Sequence, residues 1–290
     1  MAKQVSVNIF DIQWDENRGT QKLSETLDEF EGLPLDKRWR DDVRLEKVKK
    51  SNILSFPVYM LDFVKKREVG PGRMADATAI KDIQLDQGEN FGEETAALYV
   101  PKKKWLLVLH NQAGMGPSRI ASYCNALDPG NANRHFDYEA HPKLDAAVMK
   151  KLKEMKGISS ISVTATMDAL NAAELGSGTS FAEASRPAKP NRISFQLMAN
   201  PPHKKGMSLD KPLMKKLIYG LLKVGEDVTK LQVTGESDEV GGKDLLIDLL
   251  HHKIKRKFSA DDLKIVAHRY TVESRWEMLD RSFRGWHNSL

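Results

Sequence analysis

The sequence predicts an α+β fold in which a β-hairpin-rich N-terminal half leads into a split β-α-β, or ferredoxin-like, unit in the C-terminal half. Three observations carry this. Residues 133–235 read as strand, helix, strand, strand, helix, strand, the apolar spacing switching between two and three-to-four. Gly157 and Gly225 close the two helical stretches just before the strands they feed. The stretches 156–164 and 224–234 look like two copies of one helix-to-strand junction. A turn signal at Pro129-Gly130-Asn131 sets the expected boundary, giving regions 1–131 and 132–290, the second with an added strand and a terminal helix.

In chain order, Val5, Val7 and Ile9 alternate with Ser6, Asn8 and Phe10 as a first strand, and Leu23, Leu27 and Phe30 mark a short helix. Ile53–Val64 contains Pro57 and is expected as an edge or bulged strand. Val-Gly-Pro-Gly at 69–72 is a turn and Thr78–Leu85 a return strand. Ala97 and Tyr99 lie in a strand that turns at Lys102, Lys103 and Lys104 and returns over Trp105–His110. A loop at 111–118 leads into a helix carrying Ile120, Tyr123, Cys124 and Leu127, with Ser118 as its cap.

The split unit follows. Phe136, Tyr138 and Ala140 alternate within His135–His141, and Leu144, Val148, Leu152 and Met155 form one helical face. Ile161, Val163 and Ala165 alternate with Ser160, Ser162, Thr164 and Thr166, and Ile193, Phe195 and Leu197 repeat the plan. Asp210 caps a helix that tolerates Pro212 in its first turn, its buried stripe being Leu213, Leu217, Leu221 and Val224 before the strand with Leu231 and Val233. With helices on the apolar side, the other face presents Asp137, Glu139, Ser160, Ser162, Thr164, Gln196, Lys230 and Gln232. An RNA-recognition sheet needs stacking aromatics there, and this face has none.

Composition narrows the function classes. With 40% apolar residues in 290, the chain has the material for a sizeable core and is not a disordered sequence. The net charge of +5 is too small to name a partner, so local clusters decide. A lone cysteine, Cys124, cannot form an internal disulfide and lies on an apolar stripe as a core filler. No signal core and no membrane-length apolar run is evident, so the expected compartment is the cytoplasm and no membrane span is expected.

Three cationic groups are candidate phosphate contacts: Lys102, Lys103 and Lys104; Lys204 and Lys205; and Lys253, Lys255, Arg256 and Lys257. On a strand, Lys253, Lys255 and Lys257 share one face, whereas on a helix they scatter. Residues 36–50, dense in both charges around Trp39, read either as a phosphate-contacting surface or as a solvated face laced with ion pairs. The loop at 111–118 reads as structural capping or an anion site, without the spacing of a phosphate loop. Residues 167–191, ending with Arg186 and Lys189, read as a mobile flap or a disordered segment.

Gly116-Pro117-Ser118, set between a strand pair and a helix and followed by an α/β half, resembles the phage-exclusion (RexA-like) family of prophage and bacterial anti-phage proteins over residues 94–290. The resemblance implies a cytoplasmic, dimeric protein of phage–host conflict that binds double-stranded DNA with little sequence preference. It carries over no catalytic residue and no cofactor.

Catalytic patterns are few. His251 and His252 are adjacent, so their side chains diverge, which disfavours a shared metal. Asp244 and Asp248 share a face at helical spacing and suit either a divalent-metal nuclease or a plain surface. The chain has no nucleophile elbow, no Cys-x-x-Cys and no phosphate loop. The leading expectation is a non-enzymatic protein binding duplex DNA, a homodimer, without metal or cofactor. The alternatives are a protein-interaction subunit with a partner protein and, third, a metal-dependent nuclease.

Overall fold

The computed structural model of the chain describes residues 4–15, 20–67, 69–71, 73–75, 78–110, 114–127, 136–167, 170, 191–199, 208–224, 228–237 and 243–290. The first part of the chain forms β1 (Gln4–Gln13), α1 (Leu23–Gly32), β2 (Trp39–Arg40), β3 (Val43–Ile53), β4 (Phe56–Arg67), β5 (Arg73–Ala75), β6 (Thr78–Lys81), β7 (Phe91–Val100), β8 (Trp105–His110) and α2 (Pro117–Asn125). There follow β9 (Glu139–Pro142), α3 (Ala146–Glu154), β10 (Gly157–Thr166), β11 (Arg192–Met198), α4 (Lys211–Val224), β12 (Val228–Ser237) and β13 (Lys243–Asp248). The chain ends with β14 (Lys255–Ser259), β15 (Ile265–Val266), β16 (Arg269–Tyr270) and α5 (Val272–Trp286).

These elements make two compact units, one of residues 1–7, 12–138 and 256–289, the other of residues 8–11, 139–255 and 290. The last strand and helix therefore belong with the N-terminal part, not with the C-terminal region to which the sequence reading assigned them. Both units are mixed α and β, with mainly antiparallel sheets.

The first unit is built on a sheet in the order β14-β1-β8-β7-β4-β3-β2, which β9 joins through β1. Its central strands are near-continuous apolar runs, Ala96–Val100 and Trp105–Leu109, because helices cover both faces. On one face Tyr123 of α2 stacks on Phe30 of α1 at 4.5 Å and meets Phe63 of β4 edge-on at 5.5 Å. On the other, the indole of Trp276 in α5 donates to the carbonyl of Leu61, 2.9 Å away. Thr271 caps α5 by accepting from the amide of Ser274.

Pro57 does not mark an edge. β4 lies between β3 and β7, and the β3–β4 hairpin closes on the two-residue loop Leu54-Ser55, both residues left-handed at φ 50° and 67°. Ile53 and Phe56 flank that loop as a hydrogen-bonded pair, so the next pair, Asn52 and Pro57, is a non-bonded one. On its other side the β4–β7 ladder begins at Tyr59. The missing N–H of Pro57 thus costs no ladder bond. Ser118 is not the cap of α2 either: Gly116 is, with Pro117 in the first helical position that suits its fixed φ. Only Thr78–Lys81 of the expected return strand forms, pairing with β5.

The second unit holds an antiparallel sheet in the order β11-β10-β12-β13. Val148 and Leu152 of α3 and Leu217, Ile218 and Leu221 of α4 pack on Ile161, Val163, Leu231 and Val233. Asp210 caps α4 as expected, accepting from the amide of Leu213 at 2.8 Å. Ser162 lies between Gln196 and Gln232 on the opposite face, and Thr164 between Ser194 and Lys230.

The split unit as expected needs all four of its strands in one sheet, and the first of them is elsewhere. β9 is short and pairs with β1, and β10 instead lies between β11 and β12, with β13 at the edge. Asp137 and Glu139 are accordingly not on this polar face. Asp137 accepts from the hydroxyl of Thr20 at 2.7 Å, and Glu139 lies 3.0 Å from Nε2 of His141. His135, Gly225, the turns at 129–131 and 241–242 and nearly all of the 167–191 loop, including Arg186 and Lys189, lie outside the described residues.

Candidate nucleic-acid interface

The last turns of α5 organise the basic residues of the first unit. Apolar spacing turns Trp276, Leu279 and Phe283 inward, and Phe283 meets Phe56 and Trp105 edge-on at 5.6 and 6.4 Å. The same two rings carry the basic tip between β7 and β8. Lys102 Nζ stands 5.5 Å from the centre of Phe56, and Lys103 Nζ 4.0 Å from that of Trp105. Lys103 also donates to the carbonyl of His287 at the end of the helix, where unsatisfied carbonyls favour a cation.

Arg281 and Arg256 flank one further ring, their guanidinium carbons 5.2 and 5.4 Å from the centre of Phe258. Arg256 Nη1 donates to the carbonyl of Arg281 at 2.8 Å. Arg284 is exposed and paired with Asp280 at 2.9 Å. Lys102, Lys103, Arg256, Arg281 and Arg284 are thus drawn to one end of α5, the first four with their charged ends over aromatic rings. Chemically, such an array can contact phosphates, and phosphate contacts carry no base sequence.

The remaining expected contacts are dispersed. Lys104 is left-handed at φ 53° and its ammonium lies 4.0 Å over the ring of Trp14. Lys255 and Lys257 alternate with Arg256 and Phe258 along β14, so they are exposed on the face away from Arg256. Lys253 precedes that strand, bridged to Leu144. Lys204 and Lys205 lie outside the described residues. Arg281 and Arg284 escaped the sequence reading, although both sit at outward positions of a helix whose apolar stripe was legible.

Much of residues 36–50 is tied down by ion pairs and by contacts to backbone carbonyls. Arg38 donates to the carbonyls of Leu33 and Glu31 at 2.8 and 2.7 Å, Arg40 to those of Ala126 and Leu127, and Lys50 lies 2.9 Å from Asp28 and 3.2 Å from Glu31. These cations hold the fold together.

Under α5 sits a buried charge pair. Arg275 and Asp62, 4% and 2% exposed, lie with Nη1 2.8 Å from Oδ1 and Nη2 3.1 Å from Oδ2, and Glu94 is 3.2 Å from the same guanidinium. Burial pushes the Asp62 carboxyl up to about 7, against the pull of Arg275. The thiol of Cys124, 1% exposed, is pushed up to about 12 by burial alone and is no nucleophile.

Asp244 and Asp248 stand on a strand rather than a helix. Burial raises the Asp248 carboxyl, but hydrogen bonds from Gln232 and from the amides of Leu250 and His251 bring it below the ordinary value. That is a carboxylate saturated by its own neighbours. No group of three potential metal ligands occurs among the described residues. No helix among them is long and apolar enough to cross a membrane.

No curated protein matches the chain. A family model described as a family of unknown function, DUF6731, matches residues 2–285, nearly the whole length, and the chain belongs to that family.

Proposed function

We propose that the protein binds duplex DNA with little sequence preference through the cations gathered at the end of α5. The observation that supports this is the convergence of Lys102, Lys103, Arg256 and Arg281 on the rings of Phe56, Trp105 and Phe258, with Arg284 beside them. A phosphate backbone is the partner such a surface attracts, because each neutralised phosphate releases counterions. The resemblance of the Gly116-Pro117-Ser118 region to phage-exclusion proteins would place this binding in phage–host conflict.

The test is binding to a labelled mixed-sequence duplex across a salt series. Wild-type protein is expected to bind at low salt and to weaken steeply as salt rises. Changing Lys102, Arg281 and Arg284 together to Gln removes three phosphate contacts and is expected to make the logarithmic slope shallower by roughly 2 to 3. Lys255→Gln/Lys257→Gln, on the other face of β14, is expected to leave the slope unchanged. Absence of binding at low salt refutes the reading.

A further inference from the structure

We propose that the outer edge of β3, from Glu46 to Asn52, receives an acidic peptide in extended conformation as an additional strand. Because Ile53 and Phe56 form the hydrogen-bonded pair at the loop, Asn52, Lys50 and Val48 fall at alternate, non-bonded positions opposite Pro57, Tyr59 and Leu61. Their N–H and C=O groups therefore point away from β4. The pairing shifts by one residue between Leu45 and Lys47, and past this bulge the outward groups belong to Leu45.

Those of Leu45 are satisfied by side chains: its amide donates to the hydroxyl of Tyr123 at 3.0 Å, and its carbonyl accepts from Arg38 at 3.4 Å. β2 takes the edge further back, pairing only with Val43 and Arg44. The outward groups of Val48, Lys50 and Asn52 have no hydrogen-bond partner among the described residues. This is an open strand edge, a template for β-addition.

Charge selects the occupant. Lys47 and Lys49 are exposed, share one face of β3 and form no ion pair among the described residues. Lys50, on the opposite face, is already held by Asp28 and Glu31. Two exposed ammonium groups one strand repeat apart, about 7 Å, match carboxylates at alternate positions of an incoming strand. A second copy of the chain is disfavoured, since antiparallel pairing of two such edges sets lysine against lysine. The lysines alone would only protect the edge from aggregation, and an acidic strand is the partner that this protection admits.

The experiment uses the full chain and a fluorescein-labelled peptide with Glu at every second position and Val between. Val48→Pro deletes one outward N–H and leaves the bonds to β4 intact. Lys47→Glu/Lys49→Glu reverses the charge and leaves the amides. Binding to wild type is expected, each variant weakening it at least about tenfold, with amide exchange at Val48, Lys50 and Asn52 slowed by peptide. The proposal is overturned if wild type does not bind, or if folded Val48→Pro binds as tightly as wild type. It is also overturned if a single-stranded oligonucleotide displaces the peptide and binds both proteins alike, which would make the edge a simple anion site. Should Val48→Pro fail to fold, unslowed exchange at the three amides in wild type overturns it.

Discussion

The guanidinium of Arg275 lies 2.8 Å from one oxygen of Asp62 and 3.1 Å from the other, and 213 residues separate the two in the chain. Together with the hydrogen bond from the Trp276 indole to the Leu61 carbonyl, it fastens α5 to the middle of the first unit's sheet. Taking both charges out of water is costly, so their mutual attraction offsets a penalty more than it adds stability.

Removing one partner is expected to hurt far more than removing both. Asp62→Leu leaves Arg275 with Glu94 alone and is expected to cost about 3 kcal/mol in urea unfolding at pH 8. Asp62→Leu/Arg275→Met is expected to recover most of that loss. A double variant as unstable as the single one would show that the pair contributes net stability.

The same pair sets a pH dependence. Folding raises the Asp62 carboxyl from 3.8 to about 7, so between those values the native state binds a proton that the unfolded chain releases. This group's contribution therefore increases as pH falls from 7 towards 4 and is lost as pH rises through 7. Unfolding midpoints at pH 5 and pH 8 are expected to show this trend in wild type relative to Asp62→Asn. Parallel profiles for the two proteins would rule it out.

At the β3–β4 loop, Leu54 and Ser55 hold left-handed φ values of 50° and 67°, a conformation suited to Asn-Gly. Leu54→Asn/Ser55→Gly is expected to stabilise the protein by about 1 kcal/mol, since it relieves strain at both positions. Chemical denaturation measures it, and a loss of stability would mean that Leu54 packs favourably enough to outweigh its backbone.

Cys124 is expected to resist an aromatic disulfide reagent in the native protein and to react at the rate of unfolding as denaturant is added. Rapid labelling in buffer would mean that α2 opens locally.

What the sequence revealed was local. α3 and α4 were legible because Val148 and Leu152, and Leu217 and Leu221, recur at helical spacing, and β10 because isoleucine and valine alternate with hydroxyl residues. Partner choice was not. Nothing within residues 135–141 shows that β9 pairs with β1 rather than with the strands beside it in sequence. Pro57 looked like an edge marker because its residue type reports a missing donor but not which pair of the ladder it occupies. The candidate interface was half visible: the lysines at 102–104 were plain, but their grouping with Arg281 depends on Phe283 packing against Phe56, some 227 residues away.

β1 and β14 are neighbours in one sheet although they stand near opposite ends of the chain. On the ribosome, then, the first strand made must wait for one of the last before its sheet is complete, whereas β10 to β13 and their two helices emerge in the interval with all their partners at hand. The segment from α3 to β13 thus behaves as an insertion that can mature first, and limited proteolysis of chains ending at residue 254 is expected to find β10, β11, β12 and β13 protected while β1, β3, β4 and β7 are still cleaved.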